Sequence, residues 1–87
     1  MVINVYPNSI SMSGDGYIKF SNLPIDAKVF IYTLSGEILS FHSPKTPVYL
    51  WYCRNITGPK VSPGIYFYII KWNYNREIKT GKIFVTR

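Results

Sequence analysis

Acidic residues, histidine and cysteine are scarce in this chain of 87 residues, which has four Asp or Glu, one His and one Cys. General acid–base catalysis needs carboxylates that share a cleft, and a catalytic triad needs a base and an acid beside its nucleophile. The four carboxylates fall at turns or strand ends, and His42 lies near Pro44 in a polar loop. The sequence therefore predicts a protein that is not an enzyme and has no cofactor and no metal site.

The lone cysteine excludes an intramolecular disulfide, and one thiolate cannot form a zinc site. We expect Cys53 to be buried and inert. Asp15, at the tip of a Ser-Gly-Asp-Gly loop, lacks the further carboxylates that a calcium site uses. Residues 55–57 (Asn-Ile-Thr) match the N-glycosylation acceptor pattern, which we interpret only as a loop marker.

The chain also lacks a charged-then-apolar leader and an apolar run of about 18 residues, so we predict no signal peptide and no membrane span. No stretch combines helical periodicity with caps. Short β-branched and aromatic runs instead alternate with turn residues at a spacing of roughly 8–12 residues. We predict seven strands, at residues 2–6, 17–20, 27–34, 37–41, 48–52, 64–72 and 76–86.

This pattern is typical of an all-β fold, an Ig-like antiparallel β-sandwich, and the length allows one domain over residues 1–87. A Met placed directly before a strand-like run leads us to expect a domain excised from a larger secreted protein. Alternation in residues 64–72 places Lys71 in water and the rings of the opposite parity in the core. The predicted core contains Val5, Ile18, Phe20, Val29, Ile31, Trp51, Tyr66, Tyr68, Ile70, Ile83 and Val85.

One turn and one β-bulge give the predicted hairpins their shape. Ser35-Gly36 predicts a tight two-residue turn. In the last strand, Ile78 and Ile83 differ in parity, so both face the core only if one extra residue is absorbed between them. We predict a β-bulge at Gly81 for this reason.

Positive charge is concentrated near the end of the chain. The net charge is +6, and six of the ten basic residues follow position 59, opposed there by one acid. Such a patch suits nucleic acid, an anionic membrane surface or an acidic protein, or it is only a solvated sheet face. Tyr49, Tyr52, Phe67, Tyr74 and Phe84 interleave with lysines, a pattern of nucleic-acid or sugar binding. We favour packing or docking on a neighbouring domain, and nucleic acid is the disfavoured partner.

Five segments resemble a known family in the right order. They are residues 5–8 (VYPN), 22–24 (NLP), 29–37 (VFIYTLSGE), 51–66 (Trp51 through to VSPGIY at 61–66) and 81–85 (GKIFV). They resemble motifs of the C-terminal sorting domains (type A) of type IX secretion system cargo. The Ig-like domain of the flagellar hook-capping protein family carries a similar pattern, so both families stay open. One departure is Cys53, which stands where those sorting domains commonly have a glycine.

The resemblance implies a non-catalytic C-terminal module that directs export or surface attachment of a larger secreted protein. It implies a secretion translocon or a neighbouring domain of the parent chain as partner, and a secreted or cell-surface location reached through the periplasm. The alternative is an accessory carbohydrate-binding or adhesive module that binds a surface glycan. The expected interaction residues are Thr33, Ser35, Gly36, Glu37, Gly64, Lys79, Gly81, Lys82 and Arg87.

Overall fold

A computed structural model of the chain describes residues 2–11, 16–54 and 58–87. The predictions made for Asp15 and for residues 55–57 lie outside these ranges. The described residues form eight strands and no helix. The strands are β1 (Asn4–Tyr6), β2 (Ser9–Ser11), β3 (Ile18–Ser21), β4 (Lys28–Thr33), β5 (Ile38–His42), β6 (Tyr49–Trp51), β7 (Gly64–Trp72) and β8 (Glu77–Thr86).

The strands belong to two sheets. Strands β1, β3 and β6 form a three-stranded antiparallel sheet in the order β1-β3-β6. The other five form a larger sheet in the order β2-β8-β7-β4-β5, in which β2 pairs with β8 in parallel and all other pairs are antiparallel. The fold is therefore all-β, as predicted, with eight strands rather than seven.

The additional strand is β2, which forms from residues that lie outside the seven predicted strands. Tyr6 ends β1 in the small sheet, and the chain crosses at Pro7 to begin β2 in the large sheet. The sequence predicted a polar loop over residues 9–16, and within residues 9–11 Ile10 is the one apolar residue. Ile10 is buried, and its strand pairs with Val85 of β8.

Aromatic rings join the two sheets through one core. Phe20 of β3 contacts Tyr68 of β7 edge to face at 5.5 Å between ring centroids. Trp51 of β6 approaches Tyr66 of β7 at 6.3 Å. The predicted core is confirmed except for Val5, which is half-buried and packs against it. Further buried residues are Ile3, Ile10, Leu23, Ala27, Cys53 and Val61.

The terminal hairpin is regular, so the predicted bulge is wrong. Strands β7 and β8 stay in register from Gly64↔Val85 to Trp72↔Glu77 without a shift. Ile83 is consequently buried, whereas Ile78 faces outward and is 57% exposed. The register break in this sheet lies instead between β4 and β5, next to Ile31.

Gly81 is required for a different reason. The ring of Tyr68, its cross-strand neighbour, lies over it, and a Cβ on Gly81 would come within 2.4 Å of the Tyr68 Cζ and Oη atoms. Only a residue without a side chain lets Tyr68 lie inward at this point.

Candidate functional site

Most of the predicted interaction residues meet at one end of the five-stranded sheet, which we call the hairpin end. It comprises the turn from Thr33 to Glu37, Gly64 at the start of β7, and the terminal Arg87. Register brings them together, because Thr33 pairs with Tyr66, and Gly64 pairs with Val85 near the end of β8. Three segments distant in sequence therefore share one edge of the fold.

The turn at the hairpin end is held by its own hydrogen bonds. The Gly36 N–H donates to the Thr33 carbonyl at 3.0 Å, and the Thr33 N–H donates to the Glu37 carbonyl at 2.9 Å. The Thr33 Oγ1 accepts the Glu37 N–H at 3.0 Å and lies 3.1 Å from the Ser35 Oγ. Gly36 has φ 94°. This is a three-residue loop with a left-handed last residue, rather than the predicted two-residue turn.

A shallow cleft of about 620 Å³ separates the turn from the start of β7. Leu34 and Ser35 line one side, and Pro63, Gly64 and Ile65 line the other. A Cβ on Gly64 would meet no atom within 4 Å, so its φ of 158°, rather than crowding, favours glycine there. The cleft offers an apolar wall, a hydroxyl and an open rim, which suits a short peptide segment better than a reacting substrate.

The C-terminus is fixed to this end by β2. The Ser11 Oγ donates a hydrogen bond to the Arg87 carbonyl at 2.8 Å, and the Thr86 Oγ1 donates to the Ile10 carbonyl at 3.4 Å. The Phe84 N–H donates to the Asn8 carbonyl at 2.8 Å. Strand β2 therefore positions the last residues of the chain, a role that the sequence pattern did not indicate.

Three predicted site residues lie away from the hairpin end, along β8. Lys82 shares the outward parity of Phe84, whereas Lys79 shares the inward parity of Ile83 and is half-buried. Gly81 lies between them and serves the packing of Tyr68. The structure therefore places the two lysines on opposite faces of the sheet, and they do not form one charged patch.

The titratable groups with shifted pKa values belong to the core. Burial raises the pKa of the Tyr68 phenol above its ordinary value. Burial also raises the pKa of the Tyr49 phenol, and a hydrogen bond with Ser40 lowers that pKa by a smaller amount. Burial, more than the opposing effect of Lys60, raises the pKa of the Cys53 thiol. Among the described residues, no group of three His, Cys, Asp or Glu is arranged to hold a metal ion.

His42 has a structural contact. It ends β5 and stacks on the Tyr49 ring of β6 at 4.2 Å and 12° between planes, so it joins the edges of the two sheets. Of the aromatic residues predicted at the surface, some are exposed and others pack against the core. Phe84 and Tyr52 are exposed and Tyr74 projects from the β7–β8 turn, whereas Tyr49 is half-buried against the core.

No protein-family description and no curated protein sequence matches this chain. Among solved structures, it is similar to PorZ, which is described as an essential bacterial surface component of the type IX secretion system of Porphyromonas gingivalis. The TM-score is 0.81 over 98% of this chain, with 22% sequence identity. This chain spans 11% of the PorZ chain, about a tenth of its length. At this identity the similarity establishes a shared fold with one part of PorZ.

No helix among the described residues has the length and apolar character needed to cross a bilayer.

Proposed function

We propose that this chain is an Ig-like β-sandwich that acts as a non-catalytic targeting and interaction module of a larger exported protein. The observation that carries the proposal is the hairpin end, where the Thr33–Glu37 turn, Gly64 and Arg87 lie on one edge. The turn and Gly64 lie in two of the five segments that resemble the family motifs. The shared fold with part of PorZ, a type IX secretion component, supports export by that pathway.

The proposed partner is a secretion translocon or a neighbouring domain of the parent chain, at the cell surface or outside the cell. The partner contacts the exposed turn and the cleft between Ser35 and Gly64. The groups with shifted pKa values are phenols and a thiol, which are protonated at pH 7 and belong to the core. Their placement supports a binding role rather than catalysis.

The second candidate function, an accessory carbohydrate-binding or adhesive module, needs coplanar exposed rings. Phe30 and Phe41 are close to parallel, with 5.0 Å between centroids and 29° between planes. They pack against each other, however, and the Lys71 ammonium lies over the Phe30 ring at 5.5 Å. The exposed pair Tyr17 and Tyr52 is tilted by 61°. Neither pair offers a flat platform to a sugar, so the targeting module is the better-supported function.

A reporter fusion tests the proposal. A soluble reporter that carries an N-terminal signal peptide for transport into the periplasm, followed by residues 1–87, is expressed in a bacterium that has a type IX secretion system, and the reporter is quantified in the periplasm and the medium. We expect export of the reporter, and we expect Ser35→Arg, which fills the cleft, to lower the exported fraction about tenfold, equivalent to about 1.4 kcal/mol of binding.

Ser43→Arg is the matched control, because Ser43 is an exposed loop serine between β5 and β6. It should leave export unchanged, and circular dichroism should show that both variants fold. Retention of the unmodified fusion in the periplasm contradicts the targeting role. Equal export of the two variants contradicts the role of the hairpin end. Retention of the chain on a polysaccharide, lost in Phe41→Ala, favours the carbohydrate-binding alternative.

A further inference from the structure

The side of the large sheet that faces away from the small sheet is apolar over most of its area. We call it the outer face. Two rows of side chains cross it in register, Phe41–Phe30–Ile69 and Ile38–Tyr32–Phe67. The solvent face of an antiparallel sheet normally carries polar side chains. Ile38 and Phe41 are 56% and 42% exposed, so no element of the described chain covers these rows.

The outer face is continuous and of moderate size. A third pair, Ile65 and Phe84, extends it along β7 and β8, and these residues are 42% and 39% exposed. Four strands about 4.8 Å apart and six residue steps of about 3.3 Å give a flat area of roughly 400 Å². Apolar patches of about 300–600 Å² are the largest on typical monomers and often mark interaction sites.

The charges of the outer face have one sign. Lys28 and Lys71 are direct cross-strand partners, and Lys82 pairs with Phe67 on the other side of the patch. Among the described strands of this sheet, no outward-facing residue is Asp or Glu. Like charges placed opposite each other destabilise a strand pair.

Asp26, which precedes β4, accepts a hydrogen bond from the β7–β8 turn. Its Oδ2 accepts the Tyr74 N–H at 3.3 Å. Because two lysines outnumber this single carboxylate, Lys28 and Lys71 give the border of the apolar area a net positive charge.

A second copy of this chain is a poor occupant of such a face. A stable interface needs about 800 Å² from each partner, roughly twice what the face offers, so apolar burial alone is too small to hold any partner, and charge decides between them. Two copies in face-to-face contact would also bring lysines towards lysines without a carboxylate between them, and like-charge juxtaposition costs several kcal/mol. A small interface of this kind needs charge attraction, which an acidic partner supplies.

We propose that the outer face is a docking surface for a different folded protein whose contact area has an apolar centre bordered by Asp and Glu. The aromatic rows supply the desolvated centre, and Lys28, Lys71 and Lys82 pair with the border carboxylates. This surface adjoins the hairpin end at Ile65, which belongs to both, but its aromatic rows and its lysines lie outside the hairpin end. The proposal does not depend on the export pathway.

Site-specific photocrosslinking in the native host tests the proposal on the full parent chain. p-Benzoylphenylalanine replaces Phe84 on the outer face or, as the control, Tyr17, which is 40% exposed and belongs to the region of the small sheet. We expect an adduct with a different protein from position 84 and not from position 17. Peptide mapping should locate the crosslink in an apolar area bordered by Asp or Glu.

Charge reversal makes the test specific. We expect Lys28→Glu with Lys71→Glu to lower the adduct yield at least tenfold, and Lys45→Glu, at an exposed loop lysine, to leave it unchanged. If the double reversal does not fold, Lys28→Gln with Lys71→Gln should still lower the yield severalfold. An adduct with a second copy, with a glycan or lipid, or with a protein regardless of these charges overturns the proposal, as does the absence of any adduct from position 84.

Export measured in the same cultures separates the two proposals. If Ser35→Arg loses export but keeps the adduct from position 84, the hairpin end is needed for export and the docking surface is unaffected. A normal export level with no adduct from position 84 overturns the docking surface and leaves the targeting proposal standing.

Discussion

Left-handed backbone at non-glycine residues marks the turns of this fold. Asn22, which follows β3, has φ 59°, and its side-chain amide donates to the Val2 carbonyl at 2.6 Å. Asn73, Tyr74 and Asn75 form the β7–β8 turn with φ values of 55°, 57° and 64°. Asn tolerates this conformation because its short polar side chain bonds locally. These asparagines fall in two of the gaps between the predicted strands, at residues 21–26 and 73–75.

Cys53 provides the sharpest test at the residue scale. It is buried and has φ 60°, at the position where the resembling sorting domains commonly have glycine. An L residue in this conformation costs about 1–2 kcal/mol, which glycine avoids. We therefore expect Cys53→Gly to be more stable than Cys53→Ala by about 1 kcal/mol in urea unfolding, opposite to the order at an ordinary strand position. An alanine variant as stable as the glycine variant would exclude backbone strain at this residue.

Gly81 tests the packing of Tyr68. An alanine Cβ would meet the ring at 2.4 Å, and overpacking of this kind costs about 1–3 kcal/mol. We expect Gly81→Ala to lower the free energy of unfolding by such an amount, and we expect the loss to shrink when Tyr68→Leu removes the contacting atoms. A double-mutant cycle measures the coupling. Equal losses in both backgrounds would contradict the contact.

Burial of the Tyr68 phenol also predicts a dependence on pH. Its pKa is raised above the ordinary 10.0, so the folded state keeps a proton that the unfolded state releases. The stability that this difference in pKa contributes is fully present below pH 10 and is lost as the pH rises through the raised pKa. We expect unfolding free energy to fall less steeply above pH 10 in Tyr68→Phe, by up to about 1.4 kcal/mol per pH unit. Parallel curves for the two proteins would contradict this.

At the scale of elements, strands with strong alternation were predictable and the short strand β2 was not. Residues 64–72 alternate over nine positions, and the structure forms β7 with the same bounds and the predicted parity. Strand β2 has three residues with one apolar side chain between two serines, which is too little pattern to distinguish from a loop. Its pairing depends on β8, which lies more than seventy positions away, so no local signal encodes it.

The same limit applies to the candidate site. The turn residues from Thr33 to Glu37 were predictable from local composition, whereas the role of Gly81 depends on a ring in another strand. Placement of Lys79 and Lys82 on opposite faces follows from a regular register, which the predicted bulge obscured.

Ile10 tests whether β2 contributes to stability. It is 7% exposed, and its removal would leave a cavity between β2 and the core. We expect Ile10→Ala to lower the free energy of unfolding by about 2–5 kcal/mol. Ile25→Ala is the matched control, because Ile25 is 83% exposed, and it should change stability by less than about 0.5 kcal/mol. Similar effects of the two substitutions would contradict the assignment of β2.

At the scale of the whole molecule, the fold presents two surfaces that differ in chemistry. The hairpin end joins a hydrogen-bonded turn, a shallow cleft and the C-terminus. The outer face joins aromatic rows to lysines. A thin core closed by aromatic contacts between the sheets leaves both surfaces free for partners.

The central claim is that the domain acts as a targeting and interaction module within a larger exported protein. Mass determination and terminal peptide mapping of the native gene product, in cells and in the medium, test it most directly. We predict a parent protein larger than these 87 residues, found outside the cell or on its surface, either retaining the domain or released without it. A native product of this length alone, confined to the cytoplasm, would contradict the claim.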